Sequence, residues 1–88
     1  MKILKQPKRI VLYSRAMCSW CTDAKNWLDR IGWAYTVCDV GQDPSAKKRA
    51  IEISGIDYVP VIEVDDQVLG DFDTGQLEEF LKKHGYLE

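Results

Sequence analysis

Several things are scarce in this chain, and each scarcity excludes a class. Its 88 residues include three cysteines. That odd count speaks against the paired framework of a secreted disulfide scaffold. No apolar run approaches the ~20 residues that a membrane span needs. The opening "MKILKQPKR" is basic but has no apolar h-region, so it does not read as a signal peptide. There is no basic stripe interleaved with aromatics to grip nucleic acid. Repeats and low-complexity tracts are absent too. Charge of neither sign dominates, because the net charge is only −2. Its distribution is uneven, with Lys2, Lys5, Lys8 and Arg9 at the start and eight acidic residues from Val59 onward against Lys82 and Lys83. With no export signal, the expected compartment is a reducing cytoplasm. There a Cys-x-x-Cys pair is more often catalytic or metal-binding than a structural bridge.

What remains is an ordinary globular composition, 45% hydrophobic and 30% charged, with three tryptophans. That argues against disorder. The length suits one domain over residues 1–88, with residues 1–8 as a basic lead-in. A chain this short buries only about 60–65% of its unfolded surface, so its core must be compact.

Apolar spacing gives the elements. Ile10-Val-Leu-Tyr13 is a continuous apolar run, suited to a strand covered on both faces. From Cys21 onward Ala24, Leu28 and Ile31 recur at helical spacing, with Trp27 beside them, and Gly32 is a natural stop. Ala34-Tyr-Thr-Val37 reads as a second strand. Asp43-Pro44 opens a second helix, with aspartate as cap and proline in the first helical position. Ala46, Ala50 and Ile53 line its face and Gly55 ends it. Val61–Val64, Asp65-Asp66 and Gln67–Leu69 form a hairpin signal. Asp73 with Gln76 three residues later resembles a capping box, and Leu77, Phe80 and Leu81 supply the last apolar face. The order is β-α-β-α-β-β-α. Two βαβ-like crossings imply parallel strands, and the closing hairpin adds an antiparallel pair. The expected fold is α/β, a three-layer α/β/α sandwich around a four-stranded mixed sheet.

Chemistry concentrates in "SRAMCSWCTDAKNWL", Ser14 to Leu28. Cys18 falls where a loop becomes the first helix. A helix N-terminus offers unpaired N–H groups and a positive dipole end, which stabilise a thiolate. Cys18 is therefore the candidate nucleophile, with Arg15 as a further cation. Cys21 lies one turn inside the helix, more shielded, and placed to attack a mixed disulfide at Cys18. The competing reading is half a metal site. Structural zinc wants four ligands, usually in two paired clusters, and only Cys38 and His84 are left, far apart in sequence. Cys38 reads as a small buried hydrophobe, with a regulatory thiol as its alternative. His84 reads as helix-end structure. Trp20 is a candidate rim aromatic, while Trp27 and Trp33 suit the core. Asp65-Asp66 suggests a solvated turn. Pro60 can open a strand. A cis Val59-Pro60 bond would turn the Val59 backbone toward the cysteine loop, where an extended thiol substrate could pair with it.

"CSWC" after "IVLYS", "EISGIDYVPVIEVDDQVLG" and the helix after "GDFD" together resemble glutaredoxin, within the thioredoxin fold. The likeness runs from about Arg9 to Lys83. It implies thiol–disulfide oxidoreductase activity with Cys18 as nucleophile, Cys21 as resolving thiol and a redox-active disulfide between them. It implies a cis Val59-Pro60 and glutathione as co-substrate. The implied glutathione groove comprises Arg15, Trp20, Tyr58, Val59, Pro60, Gly70, Asp71, Phe72, Asp73 and Thr74. Implied partners are disulfide-containing or glutathionylated proteins, with a monomer as the working state. The chain departs from the family pattern at Ser19 and Trp20, where Pro and Tyr are usual, and at Ile56, Asp71 and Thr74. Ser19 also resembles glutaredoxins that share a [2Fe-2S] cluster between two protomers through the nucleophilic cysteine and glutathione. Gly70-Asp71-Phe72 resembles small glutaredoxin-like proteins that take electrons from thioredoxin reductase. Both remain alternatives to a glutathione-coupled enzyme.

Overall fold

A computed structural model describes residues 1–88. Four strands and three helices follow one another as β1 (Ile10–Ser14), α1 (Ser19–Ile31), β2 (Thr36–Asp39), α2 (Pro44–Ser54), β3 (Val61–Val64), β4 (Gln67–Gly70) and α3 (Thr74–Lys83). The strands lie in the order β2-β1-β3-β4. α1 and α3 cover one face and α2 the other, which gives the expected three-layer α/β/α sandwich around a mixed sheet. No helix is long and apolar enough to cross a membrane.

Local chemistry sets the helix bounds. Cys18 is the N-cap of α1, and Gly32 closes it at φ 84°, its N–H reaching the Leu28 and Asp29 carbonyls. That left-handed backbone suits glycine, which has no Cβ to clash. Asp43 caps α2 by accepting from the Ser45 and Ala46 N–H groups, with Pro44 in the first turn. At α3 the Asp73–Gln76 capping box is complete in both directions.

Strand alternation builds two cores of unequal thickness. Ile10, Leu12, Ile62 and Val64 point to α1 and α3, where they meet Trp27, Leu28, Leu77, Phe80 and Leu81. Val11, Tyr13 and Val61 point to α2, which answers with Ala46 and Ala50. Glu63 lies on this thinner side and is only 5% exposed. It is matched: Tyr13 Oη donates to Glu63 Oε1 at 2.8 Å, and Arg9 and Arg49 approach Oε2 at 3.4 and 3.3 Å. Burial pushes its carboxyl up, but these donors outweigh it and hold the group below its ordinary range.

Four expectations need correction. The crossing from β2 to β3 does not yield a parallel strand: β1 and β2 are parallel, but β3 is antiparallel to β1. α2 touches β2, β1 and β4, so it crosses the sheet rather than running back along it. Its 11 residues span about 16 Å, close to the ~14 Å across four strands. The chain therefore re-enters β3 from the end where β1 finishes. Second, β2 begins at Thr36 rather than Ala34. Third, Cys38 is half-buried, not sequestered. Fourth, Asp65 is more than a solvated turn residue. It adopts φ 52°, accepts from the Lys8 and Arg9 N–H groups at 2.9 and 3.0 Å, and takes the Tyr86 hydroxyl at 2.5 Å. The basic lead-in joins this arrangement through an Ile3–Leu87 bridge and a Leu4 N–H to Tyr86 carbonyl bond of 2.8 Å.

Candidate active site

The register brings three loops to one end of the sheet. Tyr13 pairs with Val61 and Val61 with Gly70. One step further along each chain lie Ser14, Pro60 and Asp71. The loop carrying the cysteines, the Val59-Pro60 segment and the turn after β4 therefore meet. Val59-Pro60 is cis, and Pro60 is buried. The Asp71 N–H donates to the Pro60 carbonyl at 2.9 Å, which fixes the third loop on the second.

Cys18 and Cys21 are joined in a disulfide with Cα atoms 5.3 Å apart. Their surroundings differ. Cys18 is half-buried at the N-cap, outside the first turn of α1, and the Cys21 N–H donates to its Sγ at 3.2 Å. Cys21 is fully buried. An outer sulfur held over free helix donors and an inner one sealed in protein is the asymmetry the sequence suggested.

Seven of the other expected residues divide between two concavities. Arg15, Tyr58 and Val59 line a cavity of about 190 Å³. Gly70, Asp71, Phe72 and Asp73 line a separate one of about 650 Å³. Phe72 is a core residue and shapes the second cavity from beneath. Thr74 is the half-buried first residue of α3 and lines neither cavity. Asp73 Oδ1 is engaged with the Gln76 N–H at 2.8 Å. Trp20 is half exposed on the first turn of α1.

The smaller cavity carries a residue that sequence reasoning missed. Lys47, one turn into α2, joins Arg15 in its lining. Neither cation belongs to any of the chain's ion pairs. Beside them, Asp57, Tyr58 and Val59 make no hydrogen bond within the chain through their backbone groups. Lys47 belongs to the "KKR" run of an exposed helix face, so only the sheet-crossing path of α2 reveals its position. Met17 was missed as well. It is fully exposed, at φ 63°, immediately before Cys18. No group of three or more His, Cys, Asp or Glu side chains is arranged to hold a metal ion.

A mixed four-stranded sheet with a cysteine pair at a helix N-terminus, facing a cis-proline, defines a redox protein of the thioredoxin fold. Comparison with known proteins narrows this. The glutaredoxin family model matches residues 10–69, and the chain belongs to that family. A glutaredoxin-like 8.6 kDa protein of the rubredoxin operon in Clostridium pasteurianum is 24% identical over 74 residues, covering 84% of this chain and 99% of that one. The crystal structure of a thioredoxin-like protein superimposes with a TM-score of 0.76 at 26% identity, covering 83% of this chain and all of the other. The glutaredoxin-like NrdH-redoxin from Escherichia coli gives 0.68 at 24% identity, covering 81% and 92% of the two chains. The last shares the fold and has a thioredoxin-like activity profile of its own.

Proposed function

We propose that this chain is a dithiol thiol–disulfide oxidoreductase that uses Cys18 to open disulfides and Cys21 to release the product. The observation that carries this reading is the unequal burial of the pair, with Cys18 half-buried at the cap of α1 and Cys21 fully buried one turn in. In the reduced protein the Cys18 thiolate attacks one sulfur of a substrate disulfide. An S–S bond forms to Cys18 and the other substrate sulfur leaves as a thiolate, taking a proton from solvent. Cys21 then loses its proton and attacks the Cys18 sulfur. The second substrate thiol departs, and the protein holds the Cys18–Cys21 disulfide. Two electrons have passed to the substrate, and an external reductant returns them.

Glutathione is the reductant this reading favours. Support comes from Arg15 and Lys47, cations without partners in one cavity, beside the unpaired Val59 backbone. Such a lining suits a carboxylate-bearing, extended thiol peptide. The larger, acidic cavity around Asp71 and Asp73 is then left for the body of a protein substrate. The working compartment is the cytoplasm, where glutathione keeps thiols reduced.

Two variants test the scheme. Cys18→Ser abolishes every disulfide activity. Cys21→Ser splits them. Reduction of a protein disulfide falls by about 100-fold or more, because an external thiol replaces a held one. Release of glutathione from a glutathionylated protein persists, because free glutathione attacks the mixed disulfide at Cys18. Should Cys21→Ser lose both activities, and thioredoxin reductase reduce the wild type faster than glutathione, the electron source is the flavoprotein.

A further inference from the structure

Met17 is a large apolar side chain that nothing in the fold touches. Its backbone sits at φ 63°, a region that costs a non-glycine residue about 1 kcal/mol or more. A strained, unpartnered apolar residue directly before the nucleophile is not explained by folding. It also has company. Trp20, two residues after Cys18, is 50% exposed, and Tyr58, beside Val59, is 70% exposed. Exposed large apolar residues thus lie on the loop before Cys18, on the first turn of α1 and on the Val59-Pro60 loop, which meet at one end of the sheet. Apolar groups gathered on a small surface mark a contact with something else.

The occupant of this rim follows from the chemistry proposed for Cys18, on which this inference rests. A protein segment in mixed disulfide with Cys18 passes over Met17, Trp20 and Tyr58, whereas glutathione is small enough to sit in the cavity of Arg15 and Lys47. Glutathione carries two carboxylates and an ammonium but no apolar side chain to cover the rim. An extended protein segment with an apolar side chain next to its cysteine would cover it. Its backbone would pair with the free groups of Val59 and its side chain would pack on the Met17 thioether chain, which adapts to varied shapes. We infer that Met17, with Trp20 and Tyr58, selects protein disulfides whose cysteine is flanked by a large apolar residue. Met17 is a specificity residue and takes no part in electron transfer.

The test uses the full-length reduced protein and three disulfide substrates. Two are peptide disulfides of one sequence, differing only in a Leu or a Ser beside the cysteine, and the third is hydroxyethyl disulfide. Wild type is expected to reduce the Leu peptide about tenfold more efficiently in kcat/KM than the Ser peptide, the effect of partly burying one aliphatic side chain. Met17→Ser should lose most of that preference, keep its rate on the Ser peptide and hydroxyethyl disulfide within about twofold, and show the change in KM rather than kcat. Met17→Leu should restore the preference. Equal loss on both peptides, or an unchanged preference in Met17→Ser, overturns the inference while leaving the oxidoreductase reading intact. If wild type reduces none of the three, the oxidoreductase reading falls and takes this one with it.

Discussion

Met17 and Asp65 share a left-handed backbone, φ 63° and 52°, at opposite ends of the sheet. Only one of them is compensated. Asp65 accepts two backbone N–H groups and the Tyr86 hydroxyl, and it ties the start of β1 and the C-terminal segment to the β3–β4 turn. Met17 makes no such contact. The comparison extends to their surroundings. At Asp65 the Lys8 and Arg9 N–H groups and the Tyr86 hydroxyl all find a partner inside the chain. Around Met17 the Val59 backbone, Arg15 and Lys47 are left free, and apolar side chains face solvent. One strained residue is tied into the fold, and the other stands without an internal partner directly before the proposed nucleophile.

The sharpest way to break that contrast is Asp65→Ala. It removes three acceptor bonds, two of them from backbone N–H groups. A loss of about 2–3 kcal/mol is expected, which in a chain this size lowers Tm by roughly 10–20 °C. The rate of disulfide reduction at 25 °C should be unchanged. A fall in activity with Tm intact would mean that the two ends are not independent.

The same pair predicts a pH window. The hydroxyl of Tyr86 and the Arg9 and Lys8 N–H groups hold the Asp65 carboxyl below its ordinary range. Burial, with the Asp65 carboxylate beside it, pushes Tyr86 up to about 12. Asp65 thus contributes stability above about pH 4, lost as pH falls through its lowered folded value. Tyr86 contributes below about pH 10, and that share is lost as pH rises from there toward 12. Asp65→Asn should flatten the acid limb of a Tm-against-pH curve and Tyr86→Phe the alkaline limb. Limbs that keep their slopes in both variants would remove the Asp65–Tyr86 bond from the account.

Two smaller effects belong to the end of the sheet that carries Met17. Asp73→Ala loses half of a capping box and should cost about 1 kcal/mol in urea unfolding, far less than Asp65→Ala. Met17→Gly should go the other way and stabilise by about 0.5 kcal/mol, because glycine adopts positive φ freely. A destabilised Met17→Gly would show that the side chain has a folding role after all.

Much of this was legible because the signals are local. The cysteine pair at a strand-to-helix junction, the Gly32 stop, the Asp43-Pro44 start and the Asp73–Gln76 box each depend on residues within one turn of one another. The direction of β3 was not legible, because it depends on α2 crossing the sheet, and helical periodicity carries no axis direction. The burial of Glu63 was not legible either, because it depends on Tyr13 and Arg9 from the β1 segment and Arg49 from α2. Asp65 was missed for the same reason, since its partners are distant in sequence, and Lys47 because only the path of α2 over the sheet brings it into the cavity of Arg15. Met17 differs: its neighbour Cys18 was in plain view, but left-handed backbone leaves no trace in the letters of a non-glycine residue.

Gly70 has one more consequence. A Cβ there would lie 2.7 Å from Ile56 Cδ1, so Gly70 exists without a side chain because Ile56 occupies that space. Ile56 lines the basic cavity and Gly70 the acidic one. The two chambers open on opposite faces of the sheet, with β4 between them, so Ile56 shapes only the one that holds Arg15. Lengthening residue 70 requires Ile56 to shrink, so the two positions are expected to vary together among relatives. The wall of the Arg15 cavity is thus tuned by one pair of positions, without touching either cysteine.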